Sequence, residues 1–201
     1  MIDRVITKYR GRKGYPITKI REAAVLLLLE ECEDGEVNVI FERRAFGMKS
    51  QPGDICLPGG RVEEELPIDA ALRECHEEIG IGREHIEVIG ELDYLVSPYG
   101  LTIYSFLGLR KGGQFKVNPS EVEELIKIPL KYFLDNEPVL YEMEIGPINN
   151  EDFPYELING GKDYKFKKGI MNEYFYKYKE DTVIWGFTAA IIKNFIQHIT
   201  N

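Results

Sequence analysis

Apolar and polar positions change rhythm several times along this chain, and each change predicts an element. Glu22–Glu30 carries an almost unbroken apolar run, Ala23 to Leu29, and reads as a strand. Cys32–Gly35 offers an Asp34-Gly35 turn, after which Val37–Arg43 resumes as a second strand. Phe46–Asp54, with Gly47, Pro52 and Gly53, reads as a loop, followed by Ile55-Cys56-Leu57 and a Pro58-Gly59-Gly60 break. From Leu66 to Ile79 the spacing becomes helical, with Pro67 near the first turn and Gly80 just past the end. Two strands follow, about Ile86–Val96 and Leu101–Leu109, joined by Ser97-Pro98-Tyr99-Gly100, with Gly112–Gln114 as a loop. Asn118–Glu124 and Leu130–Asp135 predict short helical pieces, and Val139–Lys179 predicts strands and loops. Asp181–Ile199 predicts a last helix, started by Asp181-Thr182 and carrying Ile184, Phe187, Ile191 and Phe195 on one face. Strands interleaved with helices and hairpins predict an α/β fold around a mixed sheet. No linker divides residues 1–201 into two domains.

Composition narrows the class. At 201 residues, 44% hydrophobic and 29% charged, the chain has an ordinary globular composition. Its longest apolar run is far short of a membrane span. A net charge of −9 argues against nucleic-acid binding. Residues Met1 to Gly14 are mixed and basic, without the apolar segment of a secretory signal. Cys32, Cys56 and Cys75 fit neither a disulfide framework nor a four-ligand zinc site, so a reducing cytoplasm is expected. The basic stretch Arg4, Lys8, Arg10, Arg12, Lys13, Lys19 and Arg21 reads as a solvated arm; phosphate binding, or contact with the partner subunit of a homodimer, are its alternatives.

The chemistry concentrates between Gly59 and Ile81. With Leu66–Ile79 on a helix at ~100° per residue, Ile68, Leu72, Cys75 and Ile79 form an apolar stripe, and Glu74, Glu77 and Glu78 fall in an arc on the opposite side. Carboxylates this close repel one another, and a cation between them turns repulsion into binding. Hard divalent cations take oxygen ligands, and Mg²⁺ accepts carboxylates together with water and substrate phosphate. Gly59 and Gly60, just before the helix, let backbone approach a ligand. Arg73 lies one turn before Glu77 and can pair with and orient it, while Asp69 stands four residues before Arg73 in the favourable order. A glutamate-rich helix face taken alone is ordinary solvated surface.

The whole string has the form G-x5-E-x7-R-E-U-x-E-E-x-G-U, with U apolar, filled by Gly59, Glu65, Arg73, Glu74, Glu77, Glu78, Gly80 and Ile81. It resembles the Nudix box. Cys75 stands where Ile, Leu or Val is usual and packs as a small hydrophobe. The resemblance implies a mixed sheet sandwiched between helices, and hydrolysis of a nucleoside diphosphate linked to another moiety with Mg²⁺ or Mn²⁺. By position it implies that Glu74, Glu77 and Glu78 are metal ligands or the base that activates water. Arg73 then orients a glutamate, Gly59 and Gly60 shape the loop, and Glu65 is an outer contributor. The base is either Glu74 or a residue from a distant loop, with Glu121 and Glu124 as candidates.

Phe41 to Gly60 is further similar to the segment that precedes the box in coenzyme A pyrophosphatases, of the form R-S-x3-R-x3-G-x-V-x-F-P-G-G. Asn118-Pro119-Ser120-Glu121-Val122, Pro129-Leu130 and Ile184 to Ala189 also resemble that group. Ala45 replaces the serine, Lys49 replaces the second arginine, and a two-residue insertion found in several of those enzymes is absent from the box. Arg43, Arg44 and Lys49 place positive charge upstream of the loop, suited to a phosphate or else ordinary surface charge. Trp185, Phe187, Tyr94 and Tyr99 could stack on adenine, although Trp185 on a helical stripe suits a core. His76, His85 and His198 lack ligand spacing. Hydrolysis of the diphosphate bond of coenzyme A or an acyl-coenzyme A is the first reading. The alternatives are another diphosphate substrate (ADP-ribose, a dinucleotide or an oxidised nucleotide) and a non-catalytic nucleotide sensor.

Overall fold

The computed structural model describes residues 1–148 and 152–201. A short helix, α1 (Ile2–Tyr9), buries none of its residues. The apolar run forms β1 (Arg21–Glu31), followed by β2 (Val37–Arg44), β3 (Ile55–Cys56), β4 (Gly59–Arg61) and α2 (Pro67–Ile79). Then come β5 (Ile86–Glu91), β6 (Leu95–Ser97), β7 (Leu101–Arg110), β8 (Val122–Pro129) and α3 (Leu130–Asp135). The chain continues through β9 (Val139–Ile145), β10 (Gly169–Lys179), β11 (Thr182–Trp185) and α4 (Gly186–Thr200).

The main sheet runs β3-β2-β1-β7-β5, with β4 on β1, β6 on β7 and β8 on β2. It is mixed: β1 and β7 are parallel, and the other pairs are antiparallel. A second, antiparallel sheet runs β11-β10-β9. Period-two alternation along β1 and β2 divides the core. Ala24, Leu26, Leu28 and Ile40 pack with Ala70, Ala71, Leu72, Cys75 and Ile79 of α2. Leu27, Val39 and Phe41 point the other way, against Phe133 of α3 and Ile191, Ile192 and Phe195 of α4. The sandwich of a mixed sheet between helices is thus present.

One break in pairing positions the site. β1 pairs with β2 from Leu28 to Glu31 but with β4 from Ala23 to Val25. At the changeover the Leu26 N–H donates to the Pro58 carbonyl at 2.9 Å. The free end of β2 instead pairs with β3, setting Glu42 opposite Cys56. The Pro58-Gly59-Gly60 break is therefore a strand entry rather than an open loop. Gly59, at φ +151°, lies so close to the Ala24 carbonyl and Val25 that no Cβ has room there.

Several elements differ from expectation. Asn118–Glu124 is not helical: Asn118 makes a single turn, its carbonyl accepting the Val122 N–H at 2.8 Å, and β8 then pairs along β2. Long-range pairing outweighs local propensity there. The last helix begins at Gly186, because Thr182–Trp185 pairs with β10 as β11. Ile184 is therefore a buried strand residue, and Trp185, at 42% exposed, belongs to no helical stripe. The strand expected over Ile86–Val96 is two, β5 and β6, both on β7. The N-terminal arm is helical only over Ile2–Tyr9, its residues are exposed, and Arg21 opens β1.

Cys75 is fully buried between α2 and the sheet, and burial pushes its thiol up to about 12. Cys75→Val should therefore keep the fold, with a stability change below about 1.5 kcal/mol. Turnover per folded molecule should be unchanged, as read by thermal melts and a diphosphate-release assay. Loss of turnover in a folded Cys75→Val protein would assign the thiol a chemical role.

Candidate functional site: a carboxylate cluster between α2 and the sheet

α2 starts at Pro67 and ends where Gly80, at φ +77°, donates its N–H to the His76 carbonyl, so its register is fixed at both ends. That register does not leave all three glutamates in solvent. Glu77 is 51% exposed along its side chain and Glu74 only 16%, while Glu78 is buried at 4%. The arc expected opposite the apolar stripe is thus divided, with Glu77 toward solvent and Glu78 toward the core. Glu78 lies ~20° from Ala71 on the helix, and Ala71 is fully buried, so Glu78 turns inward with it. Its Oε2 accepts the Gly59 N–H at 2.9 Å, which ties α2 to the start of β4.

Arg73 gathers the outer carboxylates. Its Nη1 meets Glu74 at 2.9 Å and Glu77 at 3.1 Å, its Nη2 meets Glu65 at 2.9 Å, and Nη2 also donates to the Arg61 carbonyl at 3.1 Å. Glu65 thus joins the cluster directly through Arg73, whose hydrogen bond holds its carboxyl below the ordinary range. Burial raises the Glu74 carboxyl despite Arg73. Asp69 does not pair with Arg73 as expected, because Arg83 takes it.

Behind Glu78 lies a residue that the spacing argument did not single out. Glu42 continues the Ile40 face of β2 toward α2 and is 0% exposed. Its Oε1 accepts the Cys56 thiol at 3.5 Å, and its Oε2 is buried without a hydrogen-bond partner among the described residues. Burial first, then mutual repulsion, holds the Glu78 carboxyl well above the carboxylate range; burial also raises Glu42. The available signal was a glutamate two residues from Ile40 in an apolar strand, where alternation puts both on one face.

The upstream cations separate. The field of Arg44 falls on Glu42 and Cys56, and its Nε donates to the Ser50 carbonyl at 3.4 Å. Lys49 is exposed on the adjoining loop. Arg43 faces away, with Nε on Glu124 at 2.7 Å and its Nη1 and Nη2 on the Asp181 carbonyl at 3.4 and 3.3 Å. It borders a cavity of about 410 Å³ that Asp54, Phe175 and Trp185 also line. Trp185 stacks on Phe175 at 5.9 Å, while Tyr94 and Tyr99 neighbour Tyr104 and Phe187. Of the two loop candidates, Glu121 acts electrostatically on Glu42, Glu74 and Glu78, whereas Glu124 is engaged by Arg43.

The donors suit a hard divalent cation. Glu74, Glu77 and Glu78 offer only oxygen, a Cβ at Gly60 would overlap the Glu74 carboxylate, and Glu42 holds a buried oxygen with no partner. Among the described residues no group of three or more His, Cys, Asp or Glu is arranged to hold an ion outright, and Arg73 takes up Glu74 and Glu77.

Linkage gives the burial a sign. In the folded chain Glu42 and Glu78 keep protons that the unfolded chain loses near pH 4.5. Their contribution to stability is fully present below that pH and is lost as pH rises through their raised folded values. In chelator-treated protein, Glu78→Gln should therefore gain thermal stability relative to the native sequence as pH rises from 4.5 to 9. A difference that stays constant with pH would contradict this.

Residues 19–141 match the sequence profile of the NUDIX domain. The chain is 32% identical over 178 residues to Nudix hydrolase 22, chloroplastic, of Arabidopsis thaliana, covering 86% of this chain and 53% of that protein. It is 30% identical over 121 residues to the peroxisomal coenzyme A diphosphatase ndx-8 of Caenorhabditis elegans, covering 58% of this chain and 52% of that one. An uncharacterized Nudix hydrolase NudL of Photorhabdus laumondii is 29% identical over 182 residues, covering 89% and 85%. The chain thus spans about half the length of the plant and nematode relatives. A MutT/nudix family protein from Enterococcus faecalis shares the fold, with a TM-score of 0.56 and 18% identity over 100% of this chain and 70% of that one. Because β1 to β8 and α2, with every carboxylate of the cluster, lie inside the matched span, the chain belongs to the Nudix family.

Proposed function

We propose that this chain is a metal-dependent pyrophosphohydrolase acting on coenzyme A, giving 4′-phosphopantetheine and adenosine 3′,5′-bisphosphate. The observation that carries the hydrolase reading is the set of Glu74, Glu77 and Glu78 on one helix, ordered by Arg73 and by the Gly59 N–H. Mg²⁺ or Mn²⁺, bound there, supplies charge neutralisation for the diphosphate and lowers the pKa of water.

The residues divide the remaining work. Glu77 and Glu78 ligate the cation, one from the exposed rim and one from the buried side. Glu74, whose carboxyl is raised by burial, accepts the proton of the attacking water. Arg73 bridges Glu74 and Glu77 through one nitrogen and so offsets their repulsion. Water adds across the P–O–P bridge: its oxygen bonds to one phosphorus, and the bridging oxygen leaves with the other. Positioning and electrostatics supply most of the catalysis in such a transfer.

The substrate is argued from the residues before the box. Arg44 ends β2 and Lys49 lies exposed on the loop between β2 and β3, upstream of the strand entry at Gly59, and charge-assisted contacts to phosphate are worth roughly 1.5–3 kcal/mol each. A relative named as a coenzyme A diphosphatase supports the same choice. Arg43 has its donors committed to Glu124 and Asp181, so it serves this reading less directly than Arg44.

The test is kcat/KM for coenzyme A, 3′-dephospho-coenzyme A and ADP-ribose under one metal and pH. Coenzyme A should be preferred, with Lys49→Ala narrowing that preference. Glu77→Gln should lower kcat by about a hundredfold or more while leaving the fold intact, since an exposed amide replaces a charged ligand. Efficient ADP-ribose hydrolysis with coenzyme A untouched would overturn the substrate, and full turnover by Glu77→Gln would overturn the site.

A further inference from the structure

We propose that Glu42 supplies a further carboxylate to the cation site, reaching it from β2 on the side of Glu78 that faces away from solvent. The inference rests on the metal-site reading above and adds a ligand that lies outside the box.

Three observations carry it. The first is placement. β2 leaves β1 beyond Ile40 and pairs with β3, so Glu42 comes to lie beneath α2 at the point where Gly59 anchors Glu78. The second is the poorly satisfied carboxylate: the side chain has no exposure, Oε2 receives no N–H or O–H hydrogen bond among the described residues, Oε1 has only a weak thiol donor, and the neighbour that acts on it from α2 is another carboxyl, Glu78. The third is a contrast within the same sheet. Glu30 on β1 is also buried, but Arg110 meets it at 2.6 Å and Lys127 at 2.5 Å. Glu42 has no such cation; Arg44, whose field reaches it, donates its Nε proton to Ser50.

A buried carboxylate without a hydrogen-bonded cation is costly, since buried charges are ordinarily paired or coordinate metals. Filling the position with a divalent cation satisfies Glu42 and Glu78 together, from a strand and a helix. Ligands on two elements hold an ion more rigidly than neighbours on one helix, because packing fixes each side chain separately. The Cys56 hydrogen bond then orients Glu42, as outer partners commonly orient a ligand.

The experiment is calorimetric titration of chelator-treated full-length protein with MnCl₂ at one pH, paired with thermal melts without metal. Glu42→Gln keeps the shape and removes the charge. It should bind Mn²⁺ about tenfold or more weakly, while its melting temperature without metal should equal or exceed that of the native sequence. A merely structural role would move the melting temperature down and leave the affinity in place. Should Glu42→Gln fail to fold, Glu42→Asp, which withdraws the oxygens by one methylene and keeps the charge, should also weaken Mn²⁺ binding. Native-like affinity in whichever variant folds, alongside Glu77→Gln that has lost Mn²⁺, overturns this inference alone. Absence of Mn²⁺ uptake by the native sequence overturns the metal-site reading itself.

Discussion

A helix that carries glutamates can be packed against a sheet only where something replaces water at each carboxylate it buries. The Gly59 N–H does this for Glu78, at 2.9 Å, and most of the site follows from that bond. It requires β4 to lie alongside β1, which requires glycine at 59 because the Ala24 carbonyl leaves no room for a Cβ. It also requires α2 to begin after β4 and to present Ala71, Leu72, Cys75 and Glu78 to the sheet together. Chain entry, helix register and carboxylate placement are therefore one constraint.

That constraint creates two electrostatic environments within a few residues of one another. On the rim, Arg73 offsets repulsion among Glu65, Glu74 and Glu77, and water screens what is left. Inside, burial raises the carboxyls of both Glu42 and Glu78, and the charge of Glu42 raises Glu78 further. On the proposed reading the inner pair would offer a cation oxygen ligands from the buried side, while the outer set lies at the more exposed rim. A net charge of −9 is no obstacle to the proposed anionic substrate, because on that reading the cations that meet it are local.

Much of this was legible in the residue order where it depends on one element. The span of α2, its Pro67 start, its Gly80 end and the stripe Leu72, Cys75 and Ile79 all follow from helical periodicity. β1 and β2 followed from their apolar runs. What depends on two elements was not legible. Glu78 resembles Glu77 along the chain and differs only because the sheet covers it. Glu42 matters through the β2–β3 pairing and the helix stacked above it. Val122–Pro129 and Thr182–Trp185 carry local signals for turns and helix, and strand partners distant in sequence decide them. The exposed α1 has an amphipathic spacing and buries none of its residues.

The most direct test of the account is where a divalent cation sits. Crystals grown with Mn²⁺ and measured near the manganese absorption edge should give an anomalous peak among the carboxylates of Glu74, Glu77 and Glu78, with Arg73 withdrawn from at least one of them. A peak elsewhere on the molecule, or none with Arg73 still bridging Glu74 and Glu77, would contradict it.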